Sequence, residues 1–137
     1  MDAQRFLESQ EPVYTQVLQE LRKGDKTSHW MWFVFPQLRS LGRSATARFY
    51  GLDLVGDAAL YLAHQALGER LKECTQTALQ HQDKSAHAIF HSPDDLKFRS
   101  CMTLFHLAAP QEPLFQRALS HFFGGEGDPL TLQSVSC

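Results

Sequence analysis

The apolar residues of this chain recur every three or four positions and almost nowhere every two. Gly and Pro stand between the runs, and Ser or Asp precedes many of them. Stripes of period 3.6 separated by caps and breakers are the signature of helices. Val13, Val17, Leu18 and Leu21 form one stripe, opened by Pro12 and closed by Gly24. Leu67, Leu71, Cys74, Ala78 and Leu79 form a longer one over roughly residues 66–81. Ser44 opens a segment ending at Tyr50 and Gly51, residues 57–64 read as a short helix, and Ser85 caps a turn or two through Phe90. Ser92, Pro93, Asp94 and Asp95 combine an N-cap, a first-turn proline and two carboxylates at the positive end of a dipole. That helix runs to about Ala109, before Pro110. Pro113 starts another, with Leu114, Phe115, Ala118, Leu119 and Phe122 inside and Gly124 at its stop. Asp128 and Pro129 cap a last short turn. The expectation is all-α: a compact single domain over residues 1–137, with seven or eight helices, several of them short.

Residues 30–35 (WMWFVF) are the one stretch that also suits a buried strand, being aromatic and β-branched. A lone strand would leave its backbone N–H and C=O groups unpaired. A short helix, apolar all round and therefore buried on most sides, is the better reading. Ser28 is placed to cap it and Pro36 to end it.

Composition narrows the classes. Of 137 residues, 43% are hydrophobic and 20% charged, which excludes a wholly disordered chain. The net charge is −2, so no global basic field exists to hold a nucleic-acid polymer. Residues 1–12 lack the basic start and apolar core of a signal peptide, and no apolar run approaches the length of a membrane span. Three cysteines, Cys74, Cys101 and Cys137, form no C-x-x-C pair. That odd count suits reduced thiols and a cytoplasmic location, with Cys137 the most exposed to oxidation.

Several patterns point to chemistry and fail on inspection. His87 and His91 stand four apart, a metal-pair spacing, but no Glu follows His87 and Ser92-Pro93 ends the helix near His91. No metal and no cofactor are expected. Residues 24–28 (GDKTS) lack the first Gly of a phosphate-binding loop and the strand before it. Gly42, Arg43 and Ser44 lack the Gly that a nucleophile elbow carries after its Ser. Asp94 and Asp95, adjacent in a first turn, point apart and read as capping residues, with Asp95 and Arg99 a surface pair.

Two stretches are more informative. Residues 26–37 (KTSHWMWFVFPQ) hold Lys26, His29, Trp30, Trp32 and Gln37. If helical, they set His29, Trp32 and Phe33 on one face and Trp30, Phe33 and Gln37 on another. Aromatic planes beside His, Lys and Gln are what a pocket for a planar, polar ligand needs, and equally what a core helix with a polar rim shows. Residues 94–105 (DDLKFRSCMTLF) set Lys97, Ser100 and Thr103 at three-residue spacing against a core stripe of Phe98, Met102 and Phe105. A buried Lys97 must reach a cavity rim or pair with an acid such as Asp95. If the two stretches meet, His29, Trp30, Lys97 and Ser100 line one cleft.

The strings carrying these stretches, SHWMWFVFPQL and DDLKFRS–MTLF, occur with LRKG, LGRSA, YLAH–LGERL and a late FFGG. Together they resemble the small bacterial family known as domain of unknown function 1810, often labelled calpastatin, over nearly the whole chain. Gln65 stands where that family usually has Pro, His91 where Gly is common, and Cys101 where a second Ser is usual. The resemblance implies a compact multihelical fold and no established activity. The calpastatin label is uninformative, because this composition lacks the disordered, repetitive character of such an inhibitor.

Two functions remain open. One is a pocket for an anionic or nucleotide-like small molecule, in its finer form one that processes an ADP-ribose-like metabolite, built from Lys26, His29, Trp30, Trp32, Gln37, Lys97 and Ser100. A distant similarity to helical proteins that process ADP-ribose-linked compounds adds to it, with no single motif carrying it. In an enzyme of this kind His29 is the first acid/base candidate, since its ordinary pKa lies nearest neutrality. The other is a non-catalytic interaction or structural domain whose aromatic cluster is a protein-binding patch or only core.

Overall fold

The computed structural model describes residues 1–135; Cys137, expected to be the exposed thiol, lies outside the described residues. Ten α-helices follow one another: α1 (Ala3–Gln10), α2 (Tyr14–Lys23), α3 (Met31–Val34), α4 (Ala45–Phe49), α5 (Val55–Ala63), α6 (Gln65–Leu79), α7 (Ala86–Phe90), α8 (Asp94–Ala108), α9 (Pro113–Phe123) and α10 (Pro129–Val135), with a 3₁₀ turn at Arg39–Leu41. The molecule is 68% helical, without strands among the described residues. The count exceeds the expected seven or eight mainly because α1 was not foreseen in the polar N-terminal segment. Only Phe6 and Gln10 of α1 are buried, too few positions to make a stripe visible in sequence.

Most predicted boundaries coincide with observed caps. Gly24 ends α2 in the left-handed region at φ 74°, which a residue without Cβ adopts at little cost. The Ser44 and Ser85 hydroxyls accept from the amides of Ala47 and Ala88, and Gly124 closes α9 at φ 63°. The exception that matters is α3. Only one turn forms, Trp30 precedes it without a side-chain cap, and Ser28 is occupied elsewhere. After Pro36 the chain runs extended, pairing Leu38 with Leu52 in a single parallel bridge. Leu52 N–H donates to Gln37 O and Arg39 N–H to Leu52 O. Gly51 sits so close to Arg39 that a Cβ would lie 2.4 Å from its Cα.

Helix α8 is the hub, packed on α5, α7, α9 and α10, while α6 rests on α2, α5 and α9. Phe98 of α8 stacks on Phe90 of α7 at 4.5 Å, and Phe35 meets both edge-on at 5.1 and 5.7 Å. This aromatic triad ties the segment after α3 to the first half of α8. The core continues through Phe6, Tyr61, Phe105 and Phe115, joined by further edge-on and tilted ring contacts. Cys74 and Cys101 are buried, unpaired thiols; burial pushes Cys74 up to about 12 and Cys101 well above its ordinary range. No helix is long and apolar enough to cross a membrane among the described residues.

Candidate functional site

The two informative stretches meet, and Asp94 is the joint. Its carboxylate stands 2.7 Å from Lys26 Nζ and 3.6 Å from Lys97 Nζ. Asp94 therefore bridges two lysines from distant parts of the chain. No side-chain cap hydrogen bond forms at the α8 N-terminus, so the expected capping role is replaced by ion pairing, although the first-turn charge still meets the dipole. Lys97 pairs with Asp94 rather than Asp95. Asp95 faces His87 at 3.6 Å, and Arg99 turns away to Glu126, so the expected Asp95–Arg99 pair does not form.

Behind Lys26 lies a second joint that sequence reading missed. Glu20, on α2, is 4% exposed. Its Oε1 accepts from the Thr27 and Ser28 amides at 2.8 and 2.9 Å and from Trp30 Nε1 at 3.0 Å. Its Oε2 accepts from Ser28 Oγ at 2.6 Å and Gln16 Nε2 at 2.8 Å. Burial alone raises its pKa, but the hydrogen bonds from Ser28, Gln16 and Thr27 outweigh it and hold the carboxyl at about 2. One charged group thus fixes residues 27–30 in a non-helical path, which overturns the expected faces that joined His29 to Trp32 and Trp30 to Gln37. The signal available in sequence was a lone Glu at a position facing the apolar stripe of α2.

Trp30 is consequently 1% exposed, with its N–H spent on Glu20 and Lys26 Nζ over its ring at 4.9 Å. It offers no stacking face. Lys26 is also buried: its ammonium donates to Ser28 O at 2.6 Å and pairs with Asp94. His29 is exposed on the intervening loop and lines none of the hollows described below.

The remaining predicted residues face a cleft of about 510 Å³. One side is a face of α8, where Pro93, Leu96, Lys97 and Ser100 follow the i, i+3, i+4, i+7 spacing of a single helical stripe, with Leu96 at the exposed rim. One wall brings Gln37, Leu41, Arg43, Ser44 and Ala47 from the segment between α3 and α4, the 3₁₀ turn and α4 itself; the other brings Asp128, just before α10, and Leu130 of α10. Trp32 borders the same region through a crevice of about 10 Å³ that shares Gln37, Ala47 and Lys97 with the cleft. Lys97 Nζ stands 5.1 Å above the Trp32 ring. Thr103, the third member of the polar strip, is buried and latches α10 by accepting from the Asp128 amide at 2.8 Å.

Satisfaction of the polar groups separates the cleft from its surroundings. Asp128 Oδ2 accepts from the Thr131 amide and hydroxyl, and Ser100 Oγ donates to Leu96 O. Among the described residues, Lys97 has no hydrogen-bond acceptor, only the 3.6 Å ion pair and the Trp32 ring. Neither the Arg43 guanidinium nor the Gln37 amide has a side-chain partner among the described residues. Arg43, Ser44, Asp128 and Leu130 were not foreseen as cleft residues; Arg43 and Ser44 stood out only in a motif that fails as a nucleophile elbow.

A wider hollow of about 610 Å³ lies between α6, α8 and α9, lined by His106, Glu112, Arg117 and His121 among others. It contains none of the candidate site residues expected from sequence. Its Glu112 is already engaged, pairing with Lys72 and capping α9. Among the described residues no group of three His, Cys, Asp or Glu side chains is placed to hold a metal ion. His87 and His91 turn to different acids, Asp95 and Asp25.

The fold and the cleft define a small all-α protein organised around one polar-lined helix face. The chain belongs to the family described as a protein of unknown function (DUF1810), whose model matches residues 1–135. It is similar to the conserved hypothetical protein Rv1873 from Mycobacterium tuberculosis, known from a crystal structure. The two are 46% identical, the match covers 98% of this chain and 96% of that one, and the TM-score is 0.96. Comparison with curated proteins gave no match.

Proposed function

We propose that the cleft over α8 binds an anionic, nucleotide-like small molecule. One observation carries this reading: the cleft's cations have no hydrogen-bond acceptor among the described residues, while Asp128 Oδ2 on its far wall is taken up by Thr131. Lys97 and Arg43 point to an anion, the Gln37 amide and Ser100 hydroxyl to a polar group beside it, and Leu41, Leu96 and Leu130 to an apolar or planar body. A volume near 510 Å³ suits a ligand of nucleotide size. An ADP-ribose-like metabolite, with a diphosphate between two planar or hydroxylated ends, is the finer form of the proposal. The unpaired, buried thiols of Cys74 and Cys101 accord with a cytoplasmic setting.

The test is a thermal-shift and native mass-spectrometry panel of nucleoside mono- and diphosphates, ADP-ribose and pyrophosphate. A ligand at 100 times its Kd adds about 2.7 kcal/mol of stability, which such a scan resolves. Binding should disappear in Lys97→Met and weaken in Arg43→Ala. A panel without saturable binding rejects the reading. It would then favour a non-catalytic interaction domain, for which the exposed Leu96 and Leu130 at the cleft rim are the supporting observation.

A further inference from the structure

Lys26 is the group that the proposed ligand cannot reach and that the fold nonetheless holds with most care. Its side chain is 6% exposed and locked on three sides, by Ser28 O at 2.6 Å, Asp94 Oδ2 at 2.7 Å and the Trp30 ring at 4.9 Å. Trp30 is in turn pinned by Glu20. The consequence falls on Asp94. This carboxylate sits three residues before Lys97 on the same helix and is that lysine's natural partner. Yet it lies closer to Lys26, and Lys97 stays at 3.6 Å, beyond hydrogen-bonding distance.

We infer that Lys26 is a positioning residue of the cleft: by holding and neutralising Asp94, it keeps the Lys97 ammonium free to take the phosphoryl or carboxylate group of a ligand. This rests on the reading of the cleft as an anion site. With Lys26 in place, the Asp94 charge is answered from behind, and an anion arriving at Lys97 meets little opposition. Without it, Asp94 has one cation left. The Lys97–Asp94 contact tightens, and an anion must displace an internal carboxylate before it binds. The cleft then changes from a site with a spare cation to one with a closed ion pair. Neither Lys26 nor Asp94 lines the cleft, so the effect reaches the ligand only through Lys97.

The prediction is non-additive, which separates it from the simple loss of a nearby positive charge. Binding of inorganic pyrophosphate is measured by calorimetry on the wild type, Lys26→Met, Asp94→Asn, the double variant and Lys97→Met, each checked for folding by circular dichroism. Lys26→Met should weaken binding roughly tenfold when Asp94 is present, and by less than about twofold in the Asp94→Asn background. Lys26→Arg, which keeps the charge, should bind nearly as the wild type does. Equal effects of Lys26→Met in both backgrounds overturn the inference, because a uniform field or a general structural role is additive. If Lys26→Met fails to fold, Lys26→Gln replaces it in the same cycle, and Asp94→Asn alone decides the rest: binding within about twofold of the wild type supports the inference, and clearly tighter or weaker binding overturns it, because Asp94 would then act on the anion even with Lys26 in place. Binding that is lost in Lys97→Met but indifferent to Lys26 and Asp94 keeps the cleft and removes the positioning role. Failure of pyrophosphate to bind both the wild type and Asp94→Asn removes both.

Discussion

The Glu20 knot and the α8 cleft are built from similar residue types and end in opposite states. Around Glu20, both carboxylate oxygens are filled, five donors converge, and the charge is sealed under residues 27–30. In the cleft, the Lys97, Arg43 and Gln37 side chains have no hydrogen-bond acceptor among the described residues, Lys97 keeping only its 3.6 Å contact with Asp94 and the Trp32 ring. A buried charge is tolerable only when its hydrogen-bonding capacity is met inside the protein, so the knot is structural. An exposed cation costs little unpaired, and leaving it so preserves its capacity for a ligand. The comparison divides the expected site. Lys26 and Trp30 belong to the knot, Gln37, Lys97 and Ser100 to the cleft, Trp32 lies between them, and His29 stands outside both.

Substitutions in the two regions should differ in what they cost. The largest effect belongs to Glu20→Ala, which strands the Trp30 N–H and the Thr27 and Ser28 amides. Urea unfolding should show a loss of about 3–5 kcal/mol, and a loss below 1 kcal/mol would make the knot decorative. Close behind is the pH dependence of the wild type. The Glu20 carboxyl is held at about 2 against an ordinary value of 4.5, so its stabilisation is complete above pH 4.5 and is lost as pH falls through 2. The shift corresponds to about 3 kcal/mol, and Glu20→Gln should flatten that part of the stability–pH curve.

Asp94→Ala comes next. It leaves the buried Lys26 ammonium with only Ser28 O and the Trp30 ring, and should cost about 2–3 kcal/mol of unfolding free energy. His91→Gly has the opposite sign. His91 adopts φ 64° and ψ 169°, a region suited to Gly, and its compensating contact is an exposed ion pair with Asp25. Relief of strain should exceed the lost pair, raising stability by about 1 kcal/mol in the same urea assay. The smallest effect is expected for His29→Ala, within about 0.5 kcal/mol of wild type in stability and without change in ligand affinity. A loss of binding in that variant would move the functional site out of the cleft and onto the loop.

What was legible in the residues was whatever depends on near neighbours. Helical stripes, the Gly24 and Gly124 stops, the Ser44 and Ser85 caps and the stop at Pro36 are set by interactions within one or two turns. They name their own positions. The polar strip of α8 was legible for the same reason, since Lys97 and Ser100 share a face at fixed spacing wherever the helix lies. The path of residues 27–30 was not, because it is dictated by a carboxylate on another helix. Seven to ten positions of separation and a change of direction lie between Glu20 and the groups it holds. Nor could composition reveal that Asp94 would serve two lysines, one of them 68 positions earlier in the chain. Arg43 and Leu130 reach the cleft only because the segment leading into α4, and α10, flank one face of α8. Local pattern was enough to read most of the helices and the apolar face of each, α1 and the first part of the expected 28–35 helix excepted. The tertiary structure alone decided which polar groups spend their hydrogen bonds internally and which keep them, because burial and partners depend on elements far apart along the chain.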